Sequence, residues 1–155
     1  MNTMHTQEVL GIDLGKTIVT IDGESQKVAF PDAIRVIRRL ARERFEGRVH
    51  IVSKVDEGQK KRALEWLDES GFYEETGVQR ESVHFCAERR EKAPICRTLG
   101  ITHFIDDRPE VMSHMQDIPH RFLFRSIEED VKAYEDKLSG VIHVKSWIEI
   151  EKLIL

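Results

Sequence analysis

The sequence has no apolar run long enough to cross a bilayer, and residues 1–8 are polar, unlike the apolar core of a secretory signal. It has only two cysteines, Cys86 and Cys96, too few for a disulfide framework. One falls in an apolar strand pattern and the other in a helical one, so both read as small buried hydrophobes. These absences point to the cytoplasm and to no membrane partner. Neither sign of charge dominates: 24 basic against 28 acidic residues give a formal net charge of −4. That balance offers no clear nucleic-acid surface. The histidines are scattered, with none at the paired spacing of a zinc site, and His84 and His103 sit inside strand patterns as structural residues. No repeat or low-complexity linker interrupts the 155 residues, so one domain spanning 1–155, built on a single core, is expected.

What the chain does have is a rhythm of strand and helix. Residues 9–18, Val-Leu-Gly-Ile-Asp-Leu-Gly-Lys-Thr-Ile, read as a buried strand ending on Asp13, followed by a glycine-containing turn. A second apolar strand, 102–105, ends on the pair Asp106 and Asp107. Residues 18–21 and 26–30 flank Asp22-Gly23 as a hairpin, and Pro31-Asp32 opens a helix carrying Ile34, Ile37, Leu40 and Ala41 at helical spacing. Its arginines (35, 38, 39, 42 and 44) read as a solvated face, because Glu43 and Glu46 interrupt them.

Strand 49–52 ends on Ser53 and leads to a helix over 57–70 closed by Gly71. Strand 83–86 follows, then a helix opened by Lys92-Ala93-Pro94. Beyond Asp107 come a short helix from Pro109, strands 121–124 and 141–144, and a terminal helix opened by a capping box from Ser146 to Glu149. This order implies a Rossmann-like three-layer α/β sandwich with a mainly parallel central sheet and a small hairpin flap. Ligands in such folds bind at the carboxyl ends of the strands, and each residue of interest falls just after a strand, on that edge.

Packing alone does not explain two buried strands that both deliver acid at one edge. An Asp after a strand also caps turns. Gly15-Lys16-Thr17 spells the end of a Walker loop, but that loop needs four residues between its glycines, and Gly11 and Gly15 have three between them. The same string is similar to the first phosphate loop of the actin and sugar-kinase superfamily, whose two large lobes exceed one domain.

Asp13, Ser53, Lys92 and Asp106-Asp107, in this order, resemble the four motifs of the haloacid dehalogenase-like superfamily, from about Val9 to Phe124. The resemblance implies that Asp13 is a nucleophile attacking phosphorus, that Ser53 holds the phosphoryl group, and that Lys92 neutralises charge on both. It also implies that the acids at 106 and 107 hold Mg²⁺. The string Phe104-Ile105-Asp106-Asp107-Arg108-Pro109 is especially like that of phosphatase-type members.

The residue types suit that chemistry by themselves. A carboxylate attacking an anionic phosphate ester needs cations to offset repulsion, here Mg²⁺ and Lys92. Mg²⁺ takes oxygen ligands, which Asp13, Asp106 and the Gly15 carbonyl supply, with Asp107 as a further ligand or a supporting partner. Ser53, Lys54 and Lys92 form the phosphate-binding set, with Ser53 placed where a helix begins. Ser53 also reads as a plain helix N-cap, Lys92 as a solvated lysine, and Asp107-Arg108 as a surface ion pair.

One position departs from the family. Its phosphatases carry a second aspartate two residues after the nucleophile as acid and base, and Gly15 stands there. Dehalogenases, phosphonatases and transport ATPases lack it too. The usual cap insertion points correspond to segments 18–30 and 86–92, too short to fold as domains, so no cap domain is expected and the site is open. An open site takes a phosphorylated macromolecule, or a phosphorylated small molecule enclosed by a second subunit of a homo-oligomer. The sequence therefore predicts a Mg²⁺-dependent phosphohydrolase working through an aspartyl-phosphate and weakened at Gly15. The alternative is a catalytically impaired relative that binds Mg²⁺ and a phosphorylated ligand or partner protein.

Overall fold

The computed structural model describes residues 7–155, so the polar start lies almost wholly outside the described residues. Strand β1, Leu10–Ile12, is buried on both faces, as a strand without polar alternation must be. An antiparallel hairpin of β2, Val19–Ile21, and β3, Lys27–Ala29, follows. Its turn is tied by the Asp22 carboxylate, which accepts from the backbone N–H groups of Glu24 and Gln26. Helix α1, Ala33–Arg39, runs on as a wider π turn over Leu40–Arg44, with Ile37, Leu40 and Ala41 buried.

The rest alternates. Strand β4 is Val49–Lys54, α2 Glu57–Glu69, α3 Phe72–Thr76 and β5 Val83–Cys86. Then come α4, Lys92–Leu99, β6, His103–Asp106, and α5, Pro109–Ser113. Strand β7, His120–Phe124, α6, Glu128–Tyr134, β8, Val141–Val144, and α7, Trp147–Ile154, complete the order.

Six strands form one sheet in the order β5-β4-β1-β6-β7-β8, every neighbouring pair parallel. Alternate strand residues feed two cores. Ile12, Ile51, Ile105 and Phe122 pack with α1, α2 and α7 on one face, and Val52, Phe104 and Leu123 with α4 and α5 on the other. Gly11 is needed on that second face: a Cβ there would lie 2.6 Å from Ile101 Cδ1 and 2.8 Å from Phe104 Cδ1. The result is the expected three-layer sandwich. The chain leaves β1 toward β4 and later returns to its other side as β6, so β1 lies at a topological switch point, where such sheets open a crevice.

Several local expectations change. The α1 arginines are not a freely solvated face. Arg35 and Arg39 both bond Glu151 of α7, Arg39 also bonds Glu43, and Arg38 lies 3.6 Å from Glu75. The N-cap of α2 is Asp56, in a reciprocal capping box with Gln59, so Ser53 lies within β4 and not at a helix start. At α7, Ser146 accepts from the Glu149 N–H, but the Glu149 carboxylate reaches Lys145, giving half of the expected box. Cys96 is buried and its thiol is pushed up to about 12 by burial, while Cys86 is half-buried and shifted the same way.

Candidate active site

The register Ile12↔Ile105 between β1 and β6 brings the next residues, Asp13 and Asp106, side by side at the carboxyl edge. Asp13 is fixed there by its backbone N–H, which donates to the Ile105 carbonyl at 2.9 Å. Lys92, the first residue of α4, reaches under both. Its Nζ donates to Asp13 Oδ1 at 2.9 Å and to Asp106 Oδ2 at 2.7 Å. The lysine is only 2% exposed, so it is not a solvated surface residue.

The remaining carboxylate oxygens are also held. Thr17 Oγ1 donates to Asp13 Oδ2 at 3.1 Å, and the Arg108 N–H donates to Asp106 Oδ1 at 3.0 Å. Thr17 is itself clamped, because Trp147 Nε1 of α7 donates to its carbonyl at 2.9 Å. Asp107 is half-buried, and oxygens of Asp13, Asp106 and Asp107 lie within 4.8 Å of one another.

Three carboxyl groups thus lie together with one buried ammonium, which bonds Asp13 and Asp106 but not Asp107, and the excess acid raises the Asp106 and Asp107 carboxyls. Burial and the charges of Asp13 and Asp106 push Asp107 up to about 8. Burial and Asp13 push Asp106 up to about 6, against the pull of Lys92. Burial works against the Lys92 charge, but Asp106 and Asp13 outweigh it and keep the ammonium protonated above its ordinary range. An all-oxygen donor set with surplus negative charge suits a hard divalent cation such as Mg²⁺.

A pH dependence follows. Both shifted carboxyls bind protons more tightly folded than unfolded, so the metal-free protein loses stability as pH rises from about 4 through about 8. The melting temperature without metal should fall across that window, and Mg²⁺ should restore it. At pH about 7, Mg²⁺ should displace about one proton, mainly from Asp107. Titration calorimetry in buffers of different ionisation enthalpy reads that proton directly. Binding without proton release would place Asp107 outside the metal site.

Above the carboxylates lies a pocket of about 190 Å³ lined by Asp13, Lys92 and Asp107 and rimmed by Lys16, Lys54, Arg89 and Arg108. Gly15 lines it as well, and a Cβ at that position would meet nothing within 4 Å. Ser53 is buried and lines an adjoining chamber rather than this pocket, whereas Lys54 borders both. Sequence reasoning missed Thr17, Arg89 and the pocket role of Arg108. Arg89 had one visible signal, its place just beyond a strand that ends on the same edge.

The histidines also pair in space, which linear spacing did not reveal. The His103↔His120 register stacks those rings at 4.3 Å, and His50 Nδ1 lies 3.1 Å from His84 Nε2. Glu8 joins the first pair, but Arg44 grips both of its oxygens.

No protein-family model matches the chain, and no curated protein matches it. Solved structures do match. One is assigned as a 3-deoxy-D-manno-octulosonate 8-phosphate phosphatase, from Vibrio cholerae, at 15% identity and a TM-score of 0.54, covering 97% of this chain and 84% of the other. Another is the 3-deoxy-D-manno-octulosonate 8-phosphate phosphatase of Moraxella catarrhalis in complex with magnesium, phosphate and the sugar acid. It is 12% identical, with a TM-score of 0.54, over 96% of this chain and 85% of that one. The chain therefore shares the overall fold of these two phosphatases.

Proposed function

We propose that the protein is a single-domain, capless Mg²⁺-dependent phosphohydrolase of the haloacid dehalogenase-like class, with Asp13 as its nucleophile. The observation that carries this reading is the buried Asp13–Lys92–Asp106 bridge at the switch point, beneath a cation-rimmed pocket. The likeness in fold to a magnesium- and phosphate-bound phosphatase supports it.

In this reading Lys54, Arg89 and Arg108 draw a phosphate monoester into the pocket and offset its charge. Asp13, oriented by Thr17 and Lys92, attacks phosphorus as the bond to the leaving oxygen breaks. Lys92 holds positive charge beside the transferring group throughout. Asp13, Asp106, Asp107 and the Gly15 carbonyl would hold Mg²⁺, which when bound supplies Lewis-acid stabilisation of the phosphoryl oxygens. No side chain at position 15 protonates the leaving group or activates the water that must later hydrolyse the aspartyl-phosphate. Leaving groups of low pKa are therefore favoured, and the second step is slow. Segments 18–30 and 86–92 hold only the hairpin and a 3₁₀ turn, which leaves the pocket open.

Gly15 favours a second reading, a disarmed relative that binds Mg²⁺ and a phosphorylated ligand. Phosphate release from acetyl phosphate with Mg²⁺ separates the two. Asp13→Asn should lower it on the order of 10⁴-fold or more. Turnover that survives Asp13→Asn would sink the assignment of the nucleophile, and no turnover with Mg²⁺ bound would establish the second reading.

A further inference from the structure

Next to the polar pocket is a second chamber of about 360 Å³, walled by Leu14 and by Val19 and Ile21 of the hairpin on one side. Val55, Ala63 and Trp66, from α2 and the segment before it, wall the other. Gly15, Lys16, Lys54 and Gln59 line both spaces, so the two are continuous. The passage runs past Gly15, where no side chain stands in the way. Ile21 is 58% exposed at the chamber wall, facing the same space as Val19 and Trp66. The volume falls within the range of small-molecule sites, about 300–1,000 Å³.

We propose that this chamber receives the leaving group of the substrate, and that the substrate is a small aryl phosphate monoester. The inference rests on the hydrolase reading and deepens it. With phosphate against Asp13 and Lys92, the ester oxygen points past Gly15 and the ring lies between the hairpin and Trp66. The absent acid at position 15 and the apolar wall then have one explanation. Asp13 forms a bond to phosphorus, and the phosphorus–oxygen bond breaks with its electron pair leaving on the aryl oxygen. A phenolic oxygen, with a pKa of about 10, departs as the anion far more readily than an alkoxide. Water then attacks the aspartyl-phosphate, releasing inorganic phosphate and restoring Asp13.

The test compares 1-naphthyl phosphate with acetyl phosphate, whose leaving group needs no acid and fills no apolar chamber. Naphthyl phosphate should have the higher kcat/KM. Trp66→Ala and, separately, Ile21→Ser should each lower the ratio of the two kcat/KM values about tenfold, the scale of one lost aromatic or aliphatic contact. Ile21 is exposed, so its variant guards against a folding defect in Trp66→Ala. As a readout independent of turnover, naphthylphosphonate should change the fluorescence of Trp66, since the other tryptophan, Trp147, is buried against Thr17.

Asp13-dependent acetyl phosphate hydrolysis with no naphthyl preference would overturn the inference and leave the hydrolase standing. A phosphotyrosine peptide preferred over naphthyl phosphate would also overturn it, in favour of a macromolecular substrate. No turnover of either substrate, with a Trp66 signal from the phosphonate, would remove the hydrolase and support the ligand class.

Discussion

Gly15→Asp should raise the turnover of an alkyl phosphate by about 10²–10⁴-fold, the usual worth of a placed acid and base. The backbone permits the change. Gly15 does not have the positive φ that would penalise a side chain, and its Cβ position is empty to 4 Å. The new carboxyl would enter the pocket already lined by Asp13, Lys92 and Asp107. The gain should be smaller for acetyl phosphate, whose leaving group needs no proton, so the contrast between the two substrates identifies the step. Steady-state kinetics on both checks it. An unchanged alkyl phosphate rate, with fold and Mg²⁺ binding intact, would show that position 15 does not face the leaving group.

Lys92→Met carries the largest expected cost in stability. Methionine fills a similar volume, but Asp13 and Asp106 lose the ammonium that both accept from, at 2.9 and 2.7 Å. Breaking one side of a buried ion pair costs about 3–5 kcal/mol. The loss should be greatest near pH 8, where Asp106 must ionise without its partner, and smaller near pH 5, where burial lets it take up a proton. Mg²⁺ should recover part of it by replacing the missing positive charge. Urea denaturation at both pH values, with and without the metal, measures all of these effects. A loss independent of pH would mean that Lys92 acts through packing instead of charge.

Much of this arrangement was legible in the sequence, for identifiable reasons. Buried parallel strands are short apolar runs, and a carboxylate at the end of such a run stands out, which is how Asp13 and Asp106 were found. The same reasoning could not see α3, a five-residue helix too short to show a period, or α6, which has no fully buried residue and hence no apolar stripe. It placed Ser53 at a helix start because a serine after a strand fits an N-cap, although Asp56 three residues later makes the box. Thr17 and Trp147 were invisible as site residues because their link spans 130 positions and depends on how α7 packs. The chamber beside Trp66 likewise exists only once the hairpin and α2 face each other.

That link between α7 and the loop after Asp13 also sets an order in time. Asp13 is made before Lys92 and Asp106, and Trp147 is made after all three. A growing chain carries Asp13 for a time with neither the lysine that bonds it nor the indole that holds the Thr17 carbonyl. The full set of bonds around Asp13 and Thr17 is thus complete only once α7 has emerged and docked.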